Sequence, residues 1–285
     1  MMNWEEIRRC FAPRVPDSHK GTYGTVLSVC GSYGMAGAAA LASKAALRCG
    51  AGLVIAAVPE TIYPIMATQI PEAVFAPYAD GGVKAAKQVL PYAQRASALL
   101  IGCGLGQSYE AGELIAALLE NATCPIILDA DGINWLARHI SITETMQAPL
   151  IITPHPMEIS RLLGCSVEQV QQDRRAAARE ATQRTGAVVV LKGHHTVITT
   201  PSGKEWVFPT GNPGMAVGGS GDVLAGMIAS LVAQGLSPED AARCGVYLHG
   251  AAGDRAAERL SQHAMLPSDI IDELSGLFLQ LEQQE

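Results

Sequence analysis

A doubly wound α/β fold, with a mostly parallel sheet and helices on both faces, is predicted from three observations. Short apolar runs recur along the chain, among them TVLSVC (25–30), LVIAAVP (53–59), SALLIG (97–102), PIIL (125–128), PLIIT (149–153) and AVVVL (187–191). Their apolar residues are continuous rather than alternating, as in strands buried on both faces. Second, the first run leads through a glycine-rich turn into a helix of strong formers and then into another run, the β–turn–α–β unit of a right-handed crossover. Third, no repeat, low-complexity block or linker divides the 285 residues, so a single domain spanning 1–285 is expected.

Composition narrows the function classes. A hydrophobic content of 48% supports a large core, while only 5% aromatics and a net charge of −7 argue against an affinity for nucleic acid or acidic membranes. The seven cysteines include no CxxC pair, which reads as reduced, mostly buried thiols in a cytoplasmic protein. The N-terminus, MMNWEEIRRCFAPR, carries charges where a signal peptide needs an apolar core.

The stretch GNPGMAVGGSGDVLAGM (211–227) carries the strongest chemistry. Gly218, Gly219, Ser220 and Gly221 can turn consecutive backbone N–H groups toward a ligand, and the helix that follows adds its positive end, so together they form an anion hole. Asp222 stands beside it, at a helix N-terminus where a carboxylate is expected to stay ionised, placed to take a proton from a hydroxyl while the amides steady a transferring phosphoryl group. A glycine-rich turn with Asp222 as a plain helix cap is the simpler alternative.

In chain order, GSYGMAGAAALASKAALRCG (31–50) is a glycine-rich turn and helix that is neither a dinucleotide fingerprint nor a P-loop. The stretch with Pro64, Pro71 and Pro77 reads as irregular. Gly102, Gly104 and Gly106 alternate at the end of a strand, the edge at which open α/β sheets bind ligands. Asp129 and Asp131 follow the next strand; they could hold Mg²⁺ through water, or Asp131 could cap the helix beginning near Ile133. His155, between Pro154 and Pro156, is projected from a strand end with its backbone extended. A charged helix over 167–185 reads as a solvated face. Lys192 and Gly193 form a turn, His194 and His195 are expected to point to opposite faces of an extended segment, and Ser202–Gly203 closes a hairpin. Ser237 caps a helix with Pro238 in its first position, and LPSDIIDELSGLFLQLE is a final amphipathic helix.

GSYGMAGAAALA, LIGCGLG, LDADGIN, TPHPMEISRLLG, LKGHHTVIT and NPGMAVGGSGDVLAGMI, in this order and over nearly the whole chain, resemble the ADP-dependent NAD(P)H-hydrate dehydratase family of the ribokinase-like superfamily. The resemblance implies repair of damaged cofactor: the S-epimer of hydrated NADH or NADPH is dehydrated while ADP becomes AMP and phosphate, with Mg²⁺ bridging the nucleotide phosphates. It implies hydrate contacts at Ala40, Gly104, His155 and Asp222, and AMP contacts at Lys192, Gly193, His194, His195, Thr196 and Gly221. It also implies a single-domain form lacking the epimerase domain of two-domain relatives, a functional link to a hydrate epimerase, and a homo-oligomer, commonly a tetramer. Met157 stands where many relatives carry glycine and is expected to narrow the approach to His155. A small-molecule kinase using the same Asp222 and anion hole, and a nucleotide sensor without turnover, are the competing readings.

Overall fold

The structure is a computed structural model that describes residues 4–283 except 12 and 80. Nine strands form one sheet: β1 (Thr25–Val29), β2 (Leu53–Pro59), β3 (Val74–Tyr78), β4 (Ala98–Ile101), β5 (Ile126–Leu128), β6 (Leu150–Ile152), β7 (Val188–Leu191), β8 (Thr196–Thr199) and β9 (Glu205–Phe208). Their order is β3-β2-β1-β4-β5-β6-β7-β8-β9. Every neighbouring pair from β3 to β7 is parallel, whereas β8 and β9 continue the sheet as an antiparallel hairpin.

The continuous apolar runs are explained by the layers. Along β4, Ala98 and Leu100 face one core while Leu99 and Ile101 face the other, and all four are fully buried. The first core lies beneath the helices Ala36–Arg48, Ser220–Ala233, Pro238–Leu260 and Pro267–Gln283. The second lies beneath Gly82–Ala93, Tyr109–Asn121, Pro156–Leu163 and Arg174–Thr185. Helix Ser220–Ala233 is buried at every position from Val223 to Ala233. It packs so closely on helix Ala36–Arg48 that a Cβ at Gly226 would lie 2.1 Å from the Ala42 carbonyl oxygen.

Several expectations are corrected. The proline-containing stretch is ordered: it holds helix Tyr63–Gln69 and β3, and Pro77 is tolerated because β3 is an edge strand. The helix expected over 167–185 breaks at Asp173 into Val167–Gln172 and Arg174–Thr185, and Asp173 caps the second through a 2.9 Å bond from the Ala176 amide. His194 and His195 do not diverge. His195 has φ +56, which turns the chain, and the two rings stack with centroids 3.9 Å apart. Among the described residues no helix is long and apolar enough to cross a membrane.

Candidate active site

The strand order reverses between β1 and β4, and the crevice beyond their C-terminal ends is where such sheets place ligands. Backbone bonds tie the strand extensions into one floor: Gly31 N to Cys103 O (2.8 Å), Asp129 N to Ile101 O (3.1 Å), Thr153 N to Leu128 O (3.2 Å) and Lys192 N to Pro154 O (2.8 Å). Only glycine fits at 102, where φ is +121 and a Cβ would lie 2.1 Å from the Asp129 carbonyl.

A charged cluster occupies this floor. Asp129 Oδ1 accepts from Lys192 Nζ and from Thr153 Oγ1, each at 2.6 Å, while Lys192 Nζ lies 4.0 Å from Glu158 Oε2. Burial alone would lower the Lys192 pKa, but Asp129 and Glu158 outweigh it, so the pKa is raised and the ammonium persists. Burial pushes the Glu158 carboxyl up to about 7, with Asp129 adding to the rise and Lys192 opposing it.

Asp222, in the first turn of helix Ser220–Ala233, is half-buried and joins the same cluster. The expectation that it stays ionised is corrected: burial, then repulsion by Asp129, raises its pKa to about 7, against the Cys103 thiol and Lys192, which lower it. The helix end does not offset a second carboxylate at such range. A pKa near neutrality suits a group that must both accept and release a proton.

Beside Asp222, the amides of Gly218, Gly219, Gly221 and Asp222 have no acceptor among the described residues. Four free donors at a helix start, Gly218 exposed and Gly219, Gly221 and Asp222 half-buried, are the chemistry an anion receptor requires. Ser220 departs from the predicted set, because its amide bonds the Val217 carbonyl at 3.3 Å and its hydroxyl meets His249 Nε2 at 3.4 Å. Burial lowers the His249 pKa to about 4, so that contact is with a neutral ring. The preceding loop is anchored from helix Pro238–Leu260: Asp254 accepts from the Gly211 amide and the Asn212 side chain, both at 3.0 Å.

The other predicted residues fall around this centre. A Cβ at Gly221 would lie 3.1 Å from Lys192 Nζ, so the lysine lies beside the predicted anion hole. Gly104, φ +62, packs its Cα toward Ala38, and Ala40 lies in the next turn of that helix. His155 is extended as predicted and caps helix Pro156–Leu163. Its Nδ1 accepts from the Met157 and Glu158 amides, while Glu158 Oε2 accepts from the His155 amide at 2.7 Å. Burial and Lys192 lower its pKa, leaving the imidazole neutral. Gly193, His194 and His195 form an exposed turn, and Thr196 Oγ1 bonds the Gly193 carbonyl at 3.2 Å.

Two residues were missed. Arg174, in the helix read as a solvated face, donates to the carbonyls of Leu191, Lys192 and His194 and thereby holds the whole turn. Cys103 places its sulfur 3.6 Å from Asp129 Oδ2, in reach of Asp222 as well. The flanking glycines were the only sequence signal for Cys103; for Arg174 there was none.

Asp129 and Asp131 do not make a cation pair. Asp131 turns away, accepting from the Gly106 amide at 2.9 Å and Gln107 Nε2 at 3.2 Å instead of capping its own helix. Lys192 supplies the positive charge at Asp129, and a thiol is a poor partner for Mg²⁺. The donor set therefore fits Mg²⁺ carried on nucleotide phosphates rather than a protein-built cage.

A parallel sheet with a β8–β9 hairpin, a switch-point crevice, and a glycine anion hole with an acid at the following helix start define a ribokinase-like α/β protein. The family model for NAD(P)H-hydrate dehydratase matches residues 26–275, and the chain belongs to that family. It is 43% identical over 276 residues to the bifunctional NAD(P)H-hydrate repair enzyme of Moorella thermoacetica, covering 95% of this chain and 52% of that protein. The chain thus spans about half the length of such bifunctional relatives. It is 38% identical over 278 residues to the ADP-dependent (S)-NAD(P)H-hydrate dehydratase of Bacillus subtilis, covering 98% of this chain and 97% of that protein. It also superposes on the crystal structure of the ADP/ATP-dependent NAD(P)H-hydrate dehydratase from Bacillus subtilis, co-crystallised with ATP and Mg²⁺. That match has a TM-score of 0.86 at 34% identity and covers 97% of this chain and 96% of the other.

Proposed function

We propose that this chain dehydrates the S-epimer of hydrated NADH and NADPH, driven by conversion of ADP to AMP and phosphate. One observation carries the reading: a half-buried carboxylate, Asp222, with its pKa raised to about 7, stands beside four unpartnered amides and a half-buried lysine. That arrangement takes a proton from an alcohol and bears the charge of a phosphoryl group in transit. Bound Mg²⁺ would neutralise charge on the nucleotide phosphates.

In the first step the hydroxyl on the hydrated ring attacks the β-phosphorus of ADP. Asp222 accepts the hydroxyl proton, an O–P bond forms, and the bond to the AMP oxygen breaks. The amides of Gly218, Gly219 and Gly221 bear the developing charge, and Lys192 adds a fixed positive charge beside Gly221. In the second step the ring-nitrogen lone pair expels phosphate, and loss of a proton from the neighbouring carbon restores the ring double bond. Neutral His155, Gly104 and Ala40 line the hydrate side; the turn Gly193–Thr196 lines the nucleotide side.

The same reading takes residues 1–285 as one domain, supported by the continuous sheet, and as cytoplasmic, supported by seven unpaired cysteines. It includes a homotetramer, for which half-exposed Ile65 and Val74 beside edge strand β3 offer apolar surface. It also includes a link to a hydrate epimerase, consistent with the bifunctional repair relatives.

The test is absorbance of reduced nicotinamide with purified protein, chemically hydrated NADH, Mg²⁺ and ADP. An ADP-dependent rise with stoichiometric free phosphate is expected. A stable phosphoester in place of free phosphate would mark a kinase and reject the dehydratase reading.

A further inference from the structure

Cys103 is fully buried at the end of β4, and its backbone is held by the bond from the Gly31 amide to its carbonyl at 2.8 Å. Its sulfur, an Asp129 oxygen and an Asp222 oxygen lie within 4.8 Å of one another. A thiol has one proton to donate, so two carboxylates compete for it. Asp129 already accepts from Lys192 and Thr153, each at 2.6 Å. Asp222 accepts no other side-chain hydrogen bond among the described residues. The two acids are therefore unequal, and the ionised form of Asp222 needs the donor more.

We propose that Cys103 is a positioning residue for Asp222: its S–H turns from Asp129 to Asp222 when that carboxylate is ionised, and holds it in the form that accepts a proton. The proposal rests on the base role given to Asp222 above. The thiol itself stays protonated, because the neighbouring Cys30 thiol, burial and the two neighbouring carboxylates all raise its pKa. It is a donor that never becomes a third negative charge. The other groups facing Asp222 are Asp129 and Asp131 beyond β5 and Lys192 beyond β7. His249, on the helix packed behind, meets Ser220 and is neutral. The first two turns of helix Ala36–Arg48 carry no titratable side chain.

The experiment reads Asp222 directly, by carboxyl ¹³C NMR titration of the full chain labelled at aspartate, with Asp222→Asn identifying the resonance. Cys103→Val keeps much of the volume and removes the donor; Cys103→Ser keeps a donor and strengthens it. In Cys103→Val the Asp222 midpoint is expected to rise by about half a pH unit to one unit, the scale of one weak hydrogen bond. In Cys103→Ser it should stay or fall. The acid limb of kcat/KM should move with the midpoint, whereas a residue that only fills space would lower stability and leave the limb in place. Should Cys103→Val not fold, Cys103→Ala takes its place. An unchanged midpoint without the donor, or equal rises in the Val and Ser variants, overturns the proposal. Either result alongside ADP-dependent NADH formation by the wild type leaves the dehydratase reading standing. The expected shifts without NADH formation reject that reading and keep the hydrogen bond.

Discussion

Replacing Asp222 by asparagine should move stability and activity in opposite directions. Its carboxyl pKa rises from 3.8 to about 7 on folding. At about 1.4 kcal/mol per pH unit, carrying it ionised in the folded protein costs roughly 4 kcal/mol as an upper bound. Solvent at a half-buried site screens this, so about 2 kcal/mol is the working figure. For an acid whose folded pKa lies above its unfolded one, the folded state binds more protons between the two values. The group's contribution to stability therefore falls as pH rises from about 4 to about 7 and is level beyond. Asp222→Asn removes that loss: the variant should match the wild type near pH 4 and exceed it by about 2 kcal/mol at pH 8. Turnover should drop by roughly 10²–10⁴, the scale of a lost general base. Urea unfolding at the two pH values and the NADH absorbance assay measure both halves. A variant less stable than wild type at pH 8, or one with near-normal turnover, would refute the reasoning.

Three further outcomes follow from the same site. Lys192→Met strands Asp129, which is 1% exposed, and should cost about 3–5 kcal/mol at pH 8. Asp129→Asn added to it should recover most of the loss; unfolding curves without recovery contradict the pairing. Arg174→Met releases three carbonyls of the nucleotide-side turn, so KM for ADP should rise about tenfold with little change in kcat, and a fall in kcat alone would place Arg174 elsewhere in the reaction. Gly226→Ala drives a Cβ to 2.1 Å from the Ala42 carbonyl; overpacking of this kind costs about 1–3 kcal/mol or more, visible as a lowered Tm, and an unchanged Tm would mean that the two helices separate freely.

The six central parallel strands were legible because burial on both faces leaves an unbroken apolar run, as in ALLI, where successive residues feed opposite cores. VFAPY was not legible, since an edge strand pairs on one side only and Pro77 needs no ladder partner there; its register opposite Val58 is a tertiary fact. Asp222 and the glycines announced themselves through residue type and spacing. The protonation of Asp222 did not, because it depends on burial by the packed helices and on Asp129 from another strand end. Arg174 lay hidden in RRAAARE, where nothing local separates the guanidinium that grips a turn from Arg175 and Arg179, which pair with Glu205 at the sheet edge. The same limit explains the histidine turn: a left-handed residue at 195 reverses the side-chain alternation that an extended segment would impose.

The contact of Gly226 with Ala42 has a mechanical consequence. Two helices touching backbone to backbone cannot slide or tilt past one another, so the anion hole at the start of one and the glycine turn at the start of the other form a single fixed jaw. Across the crevice from it the Lys192–His195 turn is pinned at its root, by the Lys192 amide on Pro154, the Lys192 ammonium on Asp129 and the Arg174 guanidinium, so both walls meet a ligand already shaped.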